Sequence, residues 1–582
     1  MKFKLSIFAV FLLIFVMAIP AYSQGNRNYL YYYNMGMEYN KRNDHEKARE
    51  MLEESVRMNP EFFRGHYNLG VILSGQQKLE EARAQFQRAL EIEPGSAETE
   101  FALAVVFYKQ NDFAQALKLL NQLDGSAVNK YELYYNRGLC YYQVEDYKSA
   151  VKNFKKAIRI KDTAQAYFNI GLAYEKLNDV FRAADSYRKA TRRDDKFARA
   201  YYSLGTLLNR QGHNTEAYVK LERYVKLEPD DPRGWKELGD AYYGITWYSQ
   251  ALKAYQTALK LKPDYAEVYY QLGLLYGRKK ECEKSLEAYR KAVELEPDMA
   301  RALMGVGYSY AKLGEHEKAL EATIDAVQKD PHFARAFFNL GVTYERLGRM
   351  NDAIRVYKKA IELSPRFDHA LYNLGLLYGK LEQYPESIEY TKRTLEVNPR
   401  YMSAYHNLTV SYMDYGQFYQ ALETANRALK IKPRYENAQF LKGEALYRLK
   451  RYSEAKKAFQ TVVEWSPDNA DAHYNLALAC DMLNRPEEAL KFFKNACRLN
   501  PGITDALYNI AIISYDLAKF KESLEYFDEY LEKKPDDAQA IYWQARAYLK
   551  TGARRKAEES LEKLTEMQSN YGEDLRKDMG IK

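Results

Sequence analysis

The sequence predicts an all-α solenoid of about sixteen helix–turn–helix repeats, and three regularities carry that expectation. Pro229, Pro263, Pro297, Pro331, Pro365, Pro399, Pro433, Pro467, Pro501 and Pro535 follow one another at intervals of 34 residues, and Pro60 and Pro94 share the spacing. Twenty-four residues before such prolines stand Gly36, Gly70, Gly239, Gly273, Gly307, Gly341, Gly375 and Gly443. Twelve residues after each glycine position comes a small residue, Ala in 13 repeats and Ser285, Ser387 and Ser523 in the others. At 582 residues the chain would otherwise divide into roughly three or four globular domains; a fixed period means a stacked array instead.

The segment before the array has the three parts of a secretory signal. Lys2 and Lys4 give a basic start, Leu5 to Ile19 is an apolar run ended by Pro20, and Ala21 and Ser23 place small residues at a cut between Ser23 and Gln24. The apolar run has 15 residues, short of the ~20 that span a bilayer. The alternative is retention as an uncleaved anchor. Cys140, Cys282, Cys480 and Cys497 have no CxxC spacing and are expected to be free, mostly buried thiols.

Sixteen repeats begin at residues 29, 63, 97, 131, 164, 198, 232, 266, 300, 334, 368, 402, 436, 470, 504 and 538 and cover 29–571. In the tenth, Phe337, Leu340, Gly341 and Tyr344 lie at i, i+3, i+4 and i+7, one face of a helix. Gly348 ends that helix, and Ala353, Val356, Tyr357 and Ala360 give the second helix the same spacing. Small residues at Gly341 and Ala353 let the two helices approach, and Pro365 stops the second. A lone hairpin cannot bury both sides of its helices, so stacking supplies the core and 32 helices are expected.

These residues resemble the tetratricopeptide repeat pattern W-x2-L-G-x2-Y…A-x3-F…P. The L-G-x2-Y part is literal at Leu272-Gly273…Tyr276, Leu340-Gly341…Tyr344 and Leu374-Gly375…Tyr378, and Phe86, Tyr255, Tyr289, Tyr357, Phe459, Phe493 and Phe527 fill the later aromatic position. The W position is usually another aromatic, as in Tyr32, Tyr167, Tyr201 and Tyr405, with Trp235 once. The resemblance implies a right-handed superhelix that binds other proteins or peptides.

The pattern weakens in repeats 3 to 5, where Val128, Asp162 and Asp195 replace the loop proline and Leu123-Asp124-Gly125-Ser126 breaks the register. A joint near 121–131 is one meaning of this, and ordinary drift between repeats is the other. The chain thus divides into a signal (1–23), repeats 1–3 (29–130), repeats 4–16 (131–571) and a charged cap or tail (572–582).

Charged residues are 29% and apolar residues 47% of the chain, which excludes a disordered protein, and the mean hydropathy of −0.59 excludes a polytopic membrane protein. The net charge of +8, taken as spread over the whole length, is too dilute to argue for nucleic acid. His45, His66, His213, His316, His332, His369, His406 and His473 are scattered and form no HExxH or Cys/His cluster, and the sequence carries no GxSxG, P-loop or dinucleotide fingerprint. No cofactor, metal or catalytic residue is expected, and the chain is expected not to be an enzyme.

Two residues before the glycine position, nine of the sixteen repeats carry asparagine: Asn34, Asn68, Asn136, Asn169, Asn339, Asn373, Asn407, Asn475 and Asn509. The position lies off the i, i+3, i+4, i+7 face. In long arrays of the family it resembles, such a ladder lines the concave surface and holds extended peptides by their backbone. A carboxamide offers both a donor and an acceptor to a peptide unit. Seven residues later ten repeats carry Lys or Arg, among them Lys41, Lys176, Arg346 and Lys380. A seven-residue step returns to within about 20° on a helix, so the two rows align. A plain helix-end cation would produce the same row. Asn339, Asn373, Arg346, Lys380 and Asn407 are therefore the expected centre of a peptide site, with Phe338 and Tyr372 beside it to hold apolar side chains. Lys236 falls where some co-chaperones of the family grip a carboxylate, but Asp240 replaces their asparagine, and that activity is not expected.

The expected function is an exported, non-enzymatic scaffold of a bacterial-type envelope, in the periplasm, on the surface or secreted, that binds peptide or helical segments of other proteins and has no membrane span once the signal is removed. The alternatives are an adhesin for host protein or glycan and a self-assembling rod joined through its terminal repeats.

Overall fold

The computed structural model describes residues 28–125 and 128–581; the expected signal, with Ser23 and Gln24, and Ser126 of the expected joint lie outside them. The described residues form 33 α-helices, from α1 (Asn28–Lys41) to α33 (Asn570–Asp578), and no strand. Successive helices pair as hairpins in the 34-residue register. The chain falls into two compact units, 1–271 and 272–582, divided within α15 (Ala266–Arg278).

The tenth hairpin shows why the pattern folds. In α19 (Ala334–Arg346) Leu340, Gly341 and Tyr344 are buried, and in α20 (Met350–Leu363) Ala353, Val356, Tyr357 and Ala360 are. A Cβ on Gly341 would stand 2.4 Å from Tyr357 Cε1, so the absent side chain is what admits the ring. Burial of that ring contributes on the order of 2–3 kcal/mol. Gly348 takes φ +72° in the turn, a conformation that costs a residue without Cβ nothing. Within each unit, first helices of neighbouring hairpins touch one another and second helices do not to the same degree, so first helices form an inner layer and second helices an outer one.

The helix count corrects the expected 32. The residues after 571 continue a further helix, α33, because Leu575 and Met579 find an apolar seat against the last hairpin. Ser569 caps it, Tyr542 Oη donates to Asp578 at 3.0 Å, and Tyr571 stacks on Tyr542 at 5.3 Å. The end of the stack is covered rather than trailed by a solvated tail.

The expected joint at 121–131 lies inside the first unit. There α6 (Phe113–Gln122) has 10 residues where α20 has 14, and Gly125 takes φ +97°. The buried Arg137 spans the break, holding Asp124 through Nη1 at 3.1 Å and the Leu120 carbonyl through Nη2. All four cysteines are free; Cys140 and Cys480 are buried, and burial pushes the Cys140 thiol up to about 12.

Candidate functional site

The asparagine row sits on the inner helices, but its members differ in what they have left to offer. Asn34 is exposed, Asn68, Asn339, Asn373, Asn475 and Asn509 are half-buried, and Asn136, Asn169 and Asn407 are buried. The expectation that the position stands clear of the packing therefore fails for those three, which are buried.

Most of the carboxamides are spent inside the array. Asn68 Nδ2 donates to Tyr33 Oη at 3.1 Å, and Asn169 Nδ2 to Tyr135 Oη at 2.9 Å. Asn509 lies close enough to Tyr474 to act on its phenol. In each case the tyrosine lies three residues before the glycine position of the preceding repeat. Where that neighbour is phenylalanine there is no hydroxyl to reach. Asn136 and Asn475, which follow Phe101 and Phe440, turn back to the carbonyls of Glu132 and Asp471 at 2.9 and 3.1 Å. Asn373, which follows Phe338, reaches Tyr357 Oη at 3.4 Å. Asn407 follows Tyr372, whose ring stacks on Tyr401 at 4.9 Å, and instead donates to Thr391 Oγ1 at 3.1 Å. The repeat before Asn339 has Met304, and the Asn339 carboxamide has no intramolecular partner among the described residues.

The cations sort in the same way. Arg346 is exposed and makes no ion pair among the described residues. Lys380 lies 3.4 Å from Glu345 Oε1, while the other Glu345 oxygen accepts from Tyr357 Oη at 2.6 Å. Burial and that carboxylate hold the Tyr357 phenol well above its usual range. Lys380 is thus half-neutralised by a glutamate four residues after Gly341, which sequence reasoning missed although Glu345 directly precedes Arg346. Lys109 closes the end of an earlier helix, its Nζ 2.9 Å from the Ser74 carbonyl, as the helix-end alternative requires. Phe338 and Tyr372 are not free platforms either: Phe338 packs 5.1 Å from Phe367 and Tyr372 on Tyr401.

In the first unit the inner face carries a self-satisfied polar cluster. Lys236 Nζ lies 2.8 Å from Asp240 Oδ2 and 3.1 Å from Glu237 Oε1, Tyr255 Oη donates to Asp240 Oδ1 at 2.7 Å, and Asn209 Nδ2 donates to the Glu237 carbonyl at 2.9 Å. Burial pushes the Asp240 carboxyl up to about 6, against the opposing pull of Lys236. Lys236 is thereby taken out of reach of a ligand carboxylate. Among the described residues, no group of three His, Cys, Asp or Glu side chains is placed to hold a metal, and no helix is long and apolar enough to cross a membrane.

An array of paired helices, with a polar inner layer partly left open, defines a binding scaffold. Sequence profiles of the tetratricopeptide repeat match residues 33–97, 168–232, 270–331, 408–464, 440–502 and 508–571, and related profiles match 73–136, 131–163, 248–280, 334–367 and 369–401. The chain belongs to the tetratricopeptide repeat family, whose members are protein–protein interaction scaffolds. Among solved structures it is similar to the APC/C hetero-tetramer Cut9-Hcn1, with 16% identity over 84% of this chain and 96% of that one and a TM-score of 0.33. It is also similar to the C-terminal part of a TPR repeat-containing protein from Cytophaga hutchinsonii, with 23% identity over 41% and 99% and a TM-score of 0.36. A third is YrrB, described as a TPR protein with an unusual peptide-binding site, with 24% identity over 32% and 95% and a TM-score of 0.28. No curated protein matches the sequence.

Proposed function

We propose that the chain is an exported, non-enzymatic scaffold that holds an extended segment of another protein along its inner helices in repeats 10 to 12. The observation that carries this is the pairing of an unspent carboxamide, Asn339, with an unpaired cation, Arg346, on one helix. Asn373, whose amide is committed to Tyr357, offers its remaining carbonyl oxygen in the next repeat, beside Lys380. Such a surface suits a backbone carrying acidic side chains. His406 stays neutral there, since burial lowers its pKa, so it adds no charge to the site. Export rests on the sequence of residues 1–23. The self-assembling rod is the weaker alternative, because α33 covers one end of the stack.

A photo-crosslinker tests the groove. Arg335→p-benzoylphenylalanine, on the exposed face one turn before Asn339, is expected to capture a linear segment of a partner in the native cell fraction. The same substitution at Lys359 on the outer helix is expected to capture none. Capture at Lys359 alone would contradict the proposal. N-terminal sequencing of the purified protein is expected to begin at Gln24; intact Met1 in the membrane fraction would establish the anchor instead.

A further inference from the structure

The net charge is not spread along the chain. Residues 147–200 hold fourteen Lys and Arg against six Asp and Glu, a surplus equal to the +8 of the entire protein. Much of it stands on α8 (Tyr147–Ile160), which contains no acidic residue. Lys148, Lys152, Lys155 and Arg159 occupy i, i+4, i+7 and i+11, a single stripe about 16 Å long, and all four are exposed. Neither they nor Lys156 makes an ion pair among the described residues. Lys155 donates to Tyr174 Oη at 2.8 Å and Lys156 lies 4.7 Å from the Tyr134 ring centroid, contacts that steady the side chains without neutralising them. The next outer helix, α10 (Val180–Arg193), extends the surface with Arg182, Lys189 and Arg192, of which the first two are paired with Asp179 and Asp185.

Like charges at i and i+4 work against a helix, so this stripe is not explained by folding. On the outer helix α20, by contrast, the cations are answered: Arg355 pairs with Asp352 and Lys359 with Glu362. Two apolar side chains flank the stripe. Phe181 holds on α10 the place that Lys148 holds on α8 and is 81% exposed, and Ile160 at the end of α8 is 51% exposed.

We propose that the outer face of α8 and α10 docks on the surface of an anionic phospholipid bilayer. Four lysines and an arginine on flexible stems suit a field of mobile phosphates, which needs no matching shape. Phe181 and Ile160 suit the boundary between headgroups and acyl chains, where exposed apolar groups gain on binding. Phosphates of a nucleic acid or carboxylates of a protein would satisfy the cations but leave both apolar groups in water. The surface shares no residue with the inner-helix site of repeats 10 to 12.

The test is co-sedimentation with vesicles of phosphatidylcholine containing roughly one third phosphatidylglycerol, against vesicles of phosphatidylcholine alone. It uses protein freed of residues 1–23, whose apolar run would bind lipid by itself. The protein is expected to bind the anionic vesicles at low salt and to release at high salt. Each cation near such a surface is worth about fivefold, so Lys148→Gln/Lys152→Gln/Lys155→Gln/Arg159→Gln is expected to weaken binding at least a hundredfold, with an unchanged circular dichroism melt. Phe181→Ser is expected to weaken it several-fold without altering the salt response. If the quadruple variant melts early, the double variant Lys152→Gln/Arg159→Gln is read in its place, with a fall of about twenty-five-fold. Equal binding of variant and wild type, no preference for anionic vesicles, or tighter binding to duplex DNA or polyglutamate than to vesicles would each overturn the proposal.

Discussion

Asn169 and Asn339 occupy the same position in repeats 5 and 10, yet only one is offered to a ligand. Asn169 is 2% exposed and gives its amide to Tyr135; Asn339 is half-buried and gives its amide to none of the described residues. The difference is set by the preceding repeat, which supplies Tyr135 in one case and Met304 in the other. A hydroxyl on the neighbouring inner helix turns the carboxamide into a fastener between hairpins, and an apolar neighbour leaves it open. The lesson extends to charge. Lys236 is absorbed by Asp240 and Glu237, whereas Arg346 makes no ion pair among the described residues.

The largest expected effect comes from the absorbed cluster. Asp240 takes up a proton more readily in the folded chain, at about 6, than an unfolded aspartate does near 4. Its contribution is therefore most favourable below about pH 4 and is lost as pH rises through about 6, by on the order of 3 kcal/mol. Asp240→Asn is expected to flatten that part of the stability profile, measured by urea denaturation from pH 4 to 7. A profile parallel to that of the wild type would place the carboxyl in water. Next in size, Asn169→Ala is expected to cost about 2 kcal/mol by urea denaturation, through a lost hydrogen bond and a small cavity. Asn339→Ala should stay within about 0.5 kcal/mol of wild type. Equal losses at the two sites would erase the distinction between fastener and open group. The smallest effect sharpens it: Met304→Tyr supplies the missing hydroxyl, and is expected to weaken partner binding about fivefold by occupying Asn339, roughly 1 kcal/mol. Unchanged affinity would mean that the Asn339 amide is not used in binding.

The repeat register was legible because each hairpin restates the same packing problem: Gly341 against Tyr357 recurs as Gly171 against Tyr187 and Gly443 against Phe459. The last helix was not, because α33 follows no repeat and is held by Leu575 and Met579, two apolar residues in a charged stretch. The asparagine row could be located but not ranked, since its availability depends on residues about 34 positions away. That dependence was readable in principle, as Tyr33, Tyr135 and Tyr474 all stand three residues before their glycine positions. The contact of Lys380 with Glu345 is not legible in the cation row, because Glu345 belongs to the previous repeat. The cationic stripe on α8 was hidden by a whole-chain charge that averaged it away.

The most direct measurement is the affinity of a synthetic peptide copied from the segment cross-linked at position 335, compared between wild type and Asn339→Ala/Asn373→Ala, with the thermal midpoint of each. Two lost hydrogen bonds at about 1 kcal/mol each predict a thirtyfold weaker complex, roughly 2 kcal/mol, and a midpoint lowered only slightly through the long Asn373–Tyr357 contact. Unchanged affinity, or a loss of affinity matched by a large fall in midpoint, would show that these carboxamides serve the array and not a ligand.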